Sequence, residues 1–482
     1  MTSTEPVFEF PLDLGAVPAA GRTRALHEAL REAILDRRLR AGSELPSTRR
    51  VATAYGLARN TVIAAYDLLV AEGYLVTRAG AKAVVADVAA RPATRTPRLA
   101  DGHLRTRWQA PSWSSAVSTS DAWTSSFRLG VPDHREVPFD VWRRLLARAF
   151  HPRHGAAFGY QPPHGRPRLR EAIAGHVSFA RAVSCRAEDV IVTSGARQAF
   201  DLLARLLVVA GRTVVAVEDP GYPTAAAAMA VAGAEIVPVP VDAEGLCVDA
   251  LPRQARIVYV TPSHQYPTGV VMSMARRRAL LEFAREHDAL VIEDDYDGEF
   301  RYGARPLDAL QTLDRDGRVV YVGTFSKSLF PSLRMGYVVA PEWLRDALAT
   351  AKERADTCGN AQVEDALADF ILEGHLARHV RRMRRVYAGR REALSGMLDG
   401  PLSPWFEAIA SEAGIHVAAR FVDAERADAL LPRVREHAAG AMPLRALSQR
   451  ADALHGVAFG IGCVDEAAIR ERLGALAKAL RR

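Results

Sequence analysis

Lys327 stands in the stretch Gly323-Thr324-Phe325-Ser326-Lys327, directly after the apolar, mostly β-branched run 319–322, and Arg334 follows seven residues later. A lysine amine withdrawn from water adds to an aldehyde as a Schiff base. The hydroxyls of Thr324 and Ser326 and the Arg334 guanidinium suit a phosphate, the arginine through paired hydrogen bonds. A second anion site is offered by Thr193-Ser194-Gly195-Ala196-Arg197, where Ser194 and the amides of Gly195, Ala196 and Arg197 fall at the start of a helical stretch. Asp294 and Tyr296, in Glu293-Asp294-Asp295-Tyr296-Asp297, add a carboxylate and a phenol. An amine, a phosphate cradle, a carboxylate for a ring nitrogen and a phenol for a phenolic oxygen are together the demands of pyridoxal 5′-phosphate (PLP).

These residues need a scaffold that gathers them. Short continuous apolar runs at 189–195, 213–222, 256–269, 289–297 and 318–327 alternate with amphipathic stretches such as 196–207 and 275–287. Buried strands alternating with helices predict an α/β domain on a largely parallel sheet. Such sheets bind ligands beyond the carboxyl ends of their strands. All five runs end in polar or glycine-containing clusters, so the clusters are expected to meet in one crevice.

The N-terminal region follows another pattern. Leu26, Leu30 and Ile34 recur every four residues, which predicts an amphipathic helix ending near Ala41-Gly42. A second helix starts at Pro46-Ser47 with Ser47 as its cap, turns Val51 and Tyr55 inward and stops at Gly56. A third places Val62, Ala65, Tyr66 and Leu69 on one face and leaves Arg59, Asn60 and Thr61 exposed on its first turn. Two helices joined by a short turn put the start of the second into a DNA major groove. After Gly73, two short strands around Ala79-Gly80 form a hairpin with Arg78 and Lys82 near its tip.

The chain has 482 residues, too many for one ordinary core, and its 49% hydrophobic and 25% charged residues describe a soluble globular protein. Its longest apolar stretch, near 225–234, falls well short of the ~20 residues that span a bilayer, and no export signal precedes it. Cys185, Cys247, Cys358 and Cys463 are scattered without a CxxC pair, which points to reduced thiols in the cytoplasm and to neither a disulfide framework nor a metal site. Residues 22–88 hold eleven Arg or Lys against seven Asp or Glu, an excess suited to a polyanion. Between 89 and 124 Pro, Thr, Ser and Arg dominate without a period, as in an extended linker. The organisation expected is a tail at 1–21, a DNA-binding domain at 22–88, a linker at 89–124 and a cofactor domain at 125–482.

Leu45-Pro46-Ser47-Thr48-Arg49, Arg59-Asn60-Thr61-Val62 and Ala71-Glu72-Gly73-Tyr74 resemble the GntR superfamily of bacterial regulators. That resemblance implies DNA contacts by Arg49, Arg59, Asn60 and Thr61, with Gly80 letting the wing backbone approach the minor groove. Two positions depart from it: Ala58 replaces the usual Ser or Thr cap, and Lys82 the second wing glycine. The region from about 125 resembles the fold-type I aminotransferases through its lysine, hydroxyl, arginine and carboxylate. That likeness implies that Tyr222 stacks on PLP and that Tyr160 reaches the phosphate of a neighbouring subunit in a head-to-tail homodimer.

A GntR-like head on an aminotransferase-like body resembles the MocR subfamily, and the stretches 261–269 and 292–302 look like that subfamily in particular. The fold expected is an α+β winged helix-turn-helix domain joined to an α/β fold-type I PLP-dependent aminotransferase-like domain. The enzymes' Asn before Pro-Thr-Gly is Tyr266 here, and the stretch 455–464 lacks their carboxylate-gripping arginine; Arg445 or Arg450 could substitute. The reading is therefore a cytoplasmic bacterial transcription regulator, on the nucleoid when bound to promoter DNA. In it PLP on Lys327 as an aldimine, alone or with an amine or amino-acid effector, controls DNA binding, in vitamin B6 or amino-acid or amine metabolism. A true aminotransferase with a DNA-binding appendage, or a regulator with a dead cofactor site, are the alternatives.

Overall fold

The computed structural model describes residues 7–8, 18, 21–77, 82–88, 126–151, 158–303, 308–450 and 453–481, in two compact units that divide at residue 106. In the first unit, α1 (Arg22–Leu35), α2 (Thr48–Tyr55) and α3 (Arg59–Ala71) precede an antiparallel hairpin of β1 (Leu75–Val76) and β2 (Val84–Val85). Leu26, Leu30, Ile34, Val51, Val62, Ala65, Tyr66 and Leu69 form one buried cluster, as their spacing requires. The Ser47 hydroxyl accepts from the Arg50 amide at 3.3 Å, and Gly56 ends α2 in the left-handed region. Tyr55 is only half-buried and stacks on Phe8.

The first helix is shorter than its sequence suggests. It stops at Leu35 because Arg37 turns left-handed, with φ of 60°, and the Leu39 amide donates back to the Ala33 carbonyl. The released segment lies along the hairpin: the Gly42 and Leu45 amides donate to the Val85 and Ala83 carbonyls. Sheet pairing has thus claimed residues that local propensity left open. The expected wing tip, with Arg78 and Gly80, lies outside the described residues.

The second unit begins with α4 (Phe139–Ala149) and α5 (Pro167–Arg181), and its main sheet has eight strands. These are β3 (Val190–Thr193), β4 (Val214–Asp219), β5 (Glu235–Asp242), β6 (Gly245–Leu246), β7 (Ala255–Val260), β8 (Leu290–Asp295), β9 (Val319–Thr324) and β10 (Gly336–Val339), in the order β3-β10-β9-β8-β7-β4-β5-β6. β5, β4, β7, β8 and β9 pair in parallel, whereas β10 and β6 run against their neighbours. Alternate residues leave on opposite faces. Ile257, Tyr259, Ile292, Val320 and Val322 pack with α6 (Ala196–Leu207), α7 (Pro223–Ala232) and α9 (Glu342–Asp356). Val258, Val260, Val291 and Val319 pack with α8 (Met274–Glu286) on the other face. Burial on both faces explains why these strands read as continuous apolar runs.

After α10 (Ala361–Leu372) and the long α11 (His375–Asp399), a four-stranded sheet of β11 (Phe406–Ala408), β12 (His416–Phe421), β13 (Met442–Pro443) and β14 (Gly456–Gly460) packs with α12 (Ala427–His437) and α13 (Glu466–Leu480). Residues 126–131 run beside β14, where side chains on Gly460 or Gly462 would strike the Arg128 or Val131 carbonyl. That lane carries Gly130 to the ends of the main strands. No helix among the described residues is long and apolar enough to cross a membrane.

A candidate cofactor site at the strand ends

The five polar clusters do converge. β9 ends at Thr324 and the chain turns at once to Lys327, whose amine donates to the Gly130 carbonyl at 2.6 Å. Gly130 is left-handed, with φ of 68°, which favours glycine, and a Cβ there would lie 2.9 Å from the lysine nitrogen and push it aside. Burial pulls the Lys327 amine below its ordinary value; Asp297 and Asp294 oppose that, and Arg197 and Arg334 reinforce it. A lysine so placed has an amine readier to act as a nucleophile near neutral pH.

Asp294, at the end of β8, is 3% exposed. Its Oδ2 accepts from the Tyr259 hydroxyl at 2.6 Å, while its Oδ1 is buried with no partner. Burial pushes this carboxyl up to about 7. A buried carboxylate oxygen without a donor costs free energy, and a protonated ring nitrogen is the donor such an oxygen lacks.

At the phosphate end, Arg334 is left-handed, with φ of 53°, and its guanidinium donates to the Ser194 carbonyl at 2.7 Å. Gly195 lies under it: a Cβ there would sit 3.1–3.2 Å from the guanidinium. Two of the expected phosphate partners are engaged within the chain. The Gly195 amide is not offered to a ligand, because the tight turn folds it back onto the Thr193 carbonyl at 2.8 Å, and the Ser194 amide donates to Gln198. The amides of Ala196 and Arg197, the first two positions of α6, have no carbonyl one turn earlier within the helix and remain as donors. Thr324 is also turned inward: its hydroxyl lies 3.0 Å from the Ser326 oxygen and 3.4 Å from the Met335 carbonyl, so it braces Ser326.

Tyr222 opens α7 and meets Tyr266 edge-on, with ring centroids 5.3 Å apart; Tyr266 in turn meets Tyr296 edge-on at 5.9 Å. Tyr160 is 90% exposed and takes no part in this crevice within one chain. Of the two arginines weighed as a carboxylate grip, Arg445 faces Asp428 on the surface at 3.6 Å. Arg450 has its amide held by Asp219, whose other oxygen takes the Gln449 amide.

Several residues of the site escaped the sequence reading. Tyr259 holds Asp294, and Glu218, buried in β4, accepts from the Thr261 amide and hydroxyl and from Gln265, fixing the 261–269 loop. His264 in that loop sets Nδ1 3.0 Å from Asp297 and 2.9 Å from the Tyr296 hydroxyl, and its ring lies 4.4 Å from that of His416. His264 and Asp297 were visible as residue types in their motifs, but their pairing was not. Gly130, 197 residues before Lys327, carried no signal.

In the first unit, Arg49 lies exposed on the first turn of α2, and Arg59 and Asn60 on the first turn of α3. Thr61 is half-buried, with its amide on the Ala58 carbonyl. Ala58 caps α3 with extended backbone and no side-chain acceptor, as its residue type requires. Lys82 pairs with Glu44 at 2.7 Å.

Residues 127–442 match the aminotransferase class I and II family, and residues 22–85 match the gntR family of bacterial regulatory proteins. The chain is 38% identical to the probable rhizopine catabolism regulatory protein MocR of Rhizobium meliloti, over 95% of this chain and 93% of that protein. It is 34% identical to the pyridoxine biosynthesis transcriptional regulator PdxR of Corynebacterium glutamicum, over 81% of this chain and 82% of that one. Among solved structures, the kynurenine aminotransferase of Pyrococcus horikoshii aligns with a TM-score of 0.71 at 28% identity, over 80% of this chain and 99% of that one.

Proposed function

The chain belongs to the aminotransferase class I and II family and, with its GntR head, is a PLP-dependent transcription regulator of the MocR type, and we propose that its second unit senses PLP, alone or with an amine, on behalf of the first. The observation that carries this reading is a crevice built for PLP within a chain that also holds a winged helix-turn-helix. Lys327 reaches the crevice, Asp294 leaves one oxygen without a donor, and Gly195 leaves room beneath the Arg334 guanidinium. These residues fit the group. Lys327 would hold its carbonyl carbon, Asp294 its ring nitrogen and Tyr296 its phenolic oxygen. Ser326, Arg334 and the amides of Ala196 and Arg197 would hold its phosphate, and Tyr222 would cover its ring. When bound, PLP supplies an electrophilic carbon that amines can add to.

What the site lacks separates sensing from turnover. Tyr266 packs edge-on among aromatic rings where the enzymes place an amide, and Arg445 is engaged at the surface. Arg450, pinned beside the end of β4 by Asp219, is our candidate for an effector carboxylate. Tyr160, exposed in one chain, would complete the phosphate site of a second chain in a head-to-tail homodimer. Arg49, Arg59, Asn60 and Thr61 would meet promoter DNA, and the uncapped start of α3 leaves backbone amides for phosphate. A ligand switches this binding only through unequal affinity for two arrangements of the protein. The name of the PdxR relative supports target genes of pyridoxine biosynthesis, and that of the MocR relative supports target genes of a catabolic route; the compartment would be the bacterial cytoplasm.

The test is a mobility-shift titration of the DNA upstream of the protein's own gene, with and without PLP and a panel of amines. An affinity that changes with PLP or one amine is expected, and no shift under any condition would overturn the reading. Likeness to the kynurenine aminotransferase favours a second reading, a working transaminase. Steady amino transfer that survives removal of residues 1–88 would decide for it.

A further inference from the structure

His264 and Asp297 form a buried pair directly behind Tyr296. Both side chains are 1% exposed. His264 Nδ1 lies 3.0 and 3.1 Å from the two oxygens of Asp297, so this nitrogen must carry a proton, because an ionised carboxylate only accepts. His264 Nε2 is buried with no partner, and a proton there would be a buried, unsatisfied donor. The geometry thus places a proton of His264 on Nδ1, toward Asp297. Asp297 is itself fixed from a second side, since its Oδ2 accepts the Ile415 amide at 3.2 Å.

Tyr296 feels the consequence. Its hydroxyl oxygen lies 2.9 Å from the same Nδ1, and a nitrogen that already bears a proton can only donate to it. That nitrogen shares its one proton with Asp297 and keeps no lone pair, so the proton of the phenol cannot turn back toward His264. The other groups around the pair are the His416 ring, whose Nε2 meets the Pro267 carbonyl at 3.0 Å and whose Nδ1 is buried without a partner, the Tyr266 ring, which offers only an edge, and, acting on Asp297 through their charges, Lys327, Asp294, Glu299 and Tyr302.

The geometry points to His264, anchored by Asp297, as a positioning residue that keeps the Tyr296 hydroxyl a donor toward the phenolic oxygen of PLP. It would do so in place of the amide that Tyr266 has displaced. This rests on the cofactor reading above. A donor aimed at the phenolic oxygen stabilises its anion, so the proton it shares with the Lys327 nitrogen leaves at lower pH. Losing that aim moves the midpoint up, by about half to one pH unit for one ordinary hydrogen bond.

The experiment is a pH titration of the visible absorbance of the full-length protein loaded with PLP. His264→Ala is expected to raise the midpoint by that amount. His264→Asn, whose amide can take the place of Nδ1–H, is expected to return it to within about a third of the shift. In a Tyr296→Phe background, His264→Ala should add little. If the alanine variant does not fold, His264→Leu fills the ring volume without an N–H and carries the same expectation. An unmoved midpoint, an equal shift without the Tyr296 hydroxyl, or no rescue by asparagine would each overturn the assignment while leaving the PLP reading intact. A native protein that gains no absorbance with PLP would overturn both.

Discussion

Asp294→Asn should pull cofactor affinity and bare stability in opposite directions. In the protein without PLP, burial has moved this carboxyl from 3.8 to about 7, which corresponds to about 4 kcal/mol against its charged form. Because the folded value is the raised one, the penalty is absent below 3.8, grows as pH rises and is complete above about 7. Asparagine removes the charge and keeps an acceptor for the Tyr259 hydroxyl, but buries an amide N–H without a partner, at about 1–3 kcal/mol. The PLP-free variant should therefore be about 1–3 kcal/mol more stable than the native protein at pH 8 and gain nothing near pH 4. Its affinity for PLP should fall, because the charge-assisted bond to the ring nitrogen, about 1.5–3 kcal/mol, is lost; that is roughly 10- to 150-fold in Kd. Denaturant titrations at the two pH values, paired with absorbance titrations by PLP, measure both quantities. A variant that is less stable at pH 8, or that binds PLP undiminished, would refute the assignment of the free Asp294 oxygen to the ring nitrogen.

Glu218, pushed up by burial from 4.5 to about 7, makes a similar but purely structural contribution. Its stabilising effect is full below 4.5 and lost as pH rises through about 7, so Glu218→Gln should flatten the fall of unfolding free energy over that window, by on the order of 3 kcal/mol, as denaturant titrations across it measure. Ala58→Ser should add about 1 kcal/mol to the first unit, since the backbone there is already extended as a cap requires; the melting transition of that unit reports it. Arg59→Ala should weaken DNA binding and reduce the slope of log K against log salt by about 1, if the arginine neutralises a phosphate. An unchanged slope would remove Arg59 from the interface.

The sequence alone determined the architecture and most of the residues that the crevice gathers. Runs buried on both faces had to be continuous in valine and isoleucine, and a helix packed on one side had to repeat every three or four residues, so both were legible without coordinates. Lys327, Asp294, Tyr296, Ser326 and Arg334 each close or follow one of those strands, and the sheet had only to bring the ends together. What tertiary structure decided was where protons and short-range donors go. The tight turn at Gly195 folds an expected donor inward, Thr324 turns to brace Ser326, and pairing with the hairpin ends α1 early. The free oxygen of Asp294, the carbonyl of Gly130 beneath Lys327 and the Asp297–His264–Tyr296 chain depend on segments far apart in sequence. Hydrogen-bond partners are chosen over about 3 Å, and between segments far apart in the chain residue type and spacing carry no information on that scale until the chain has folded.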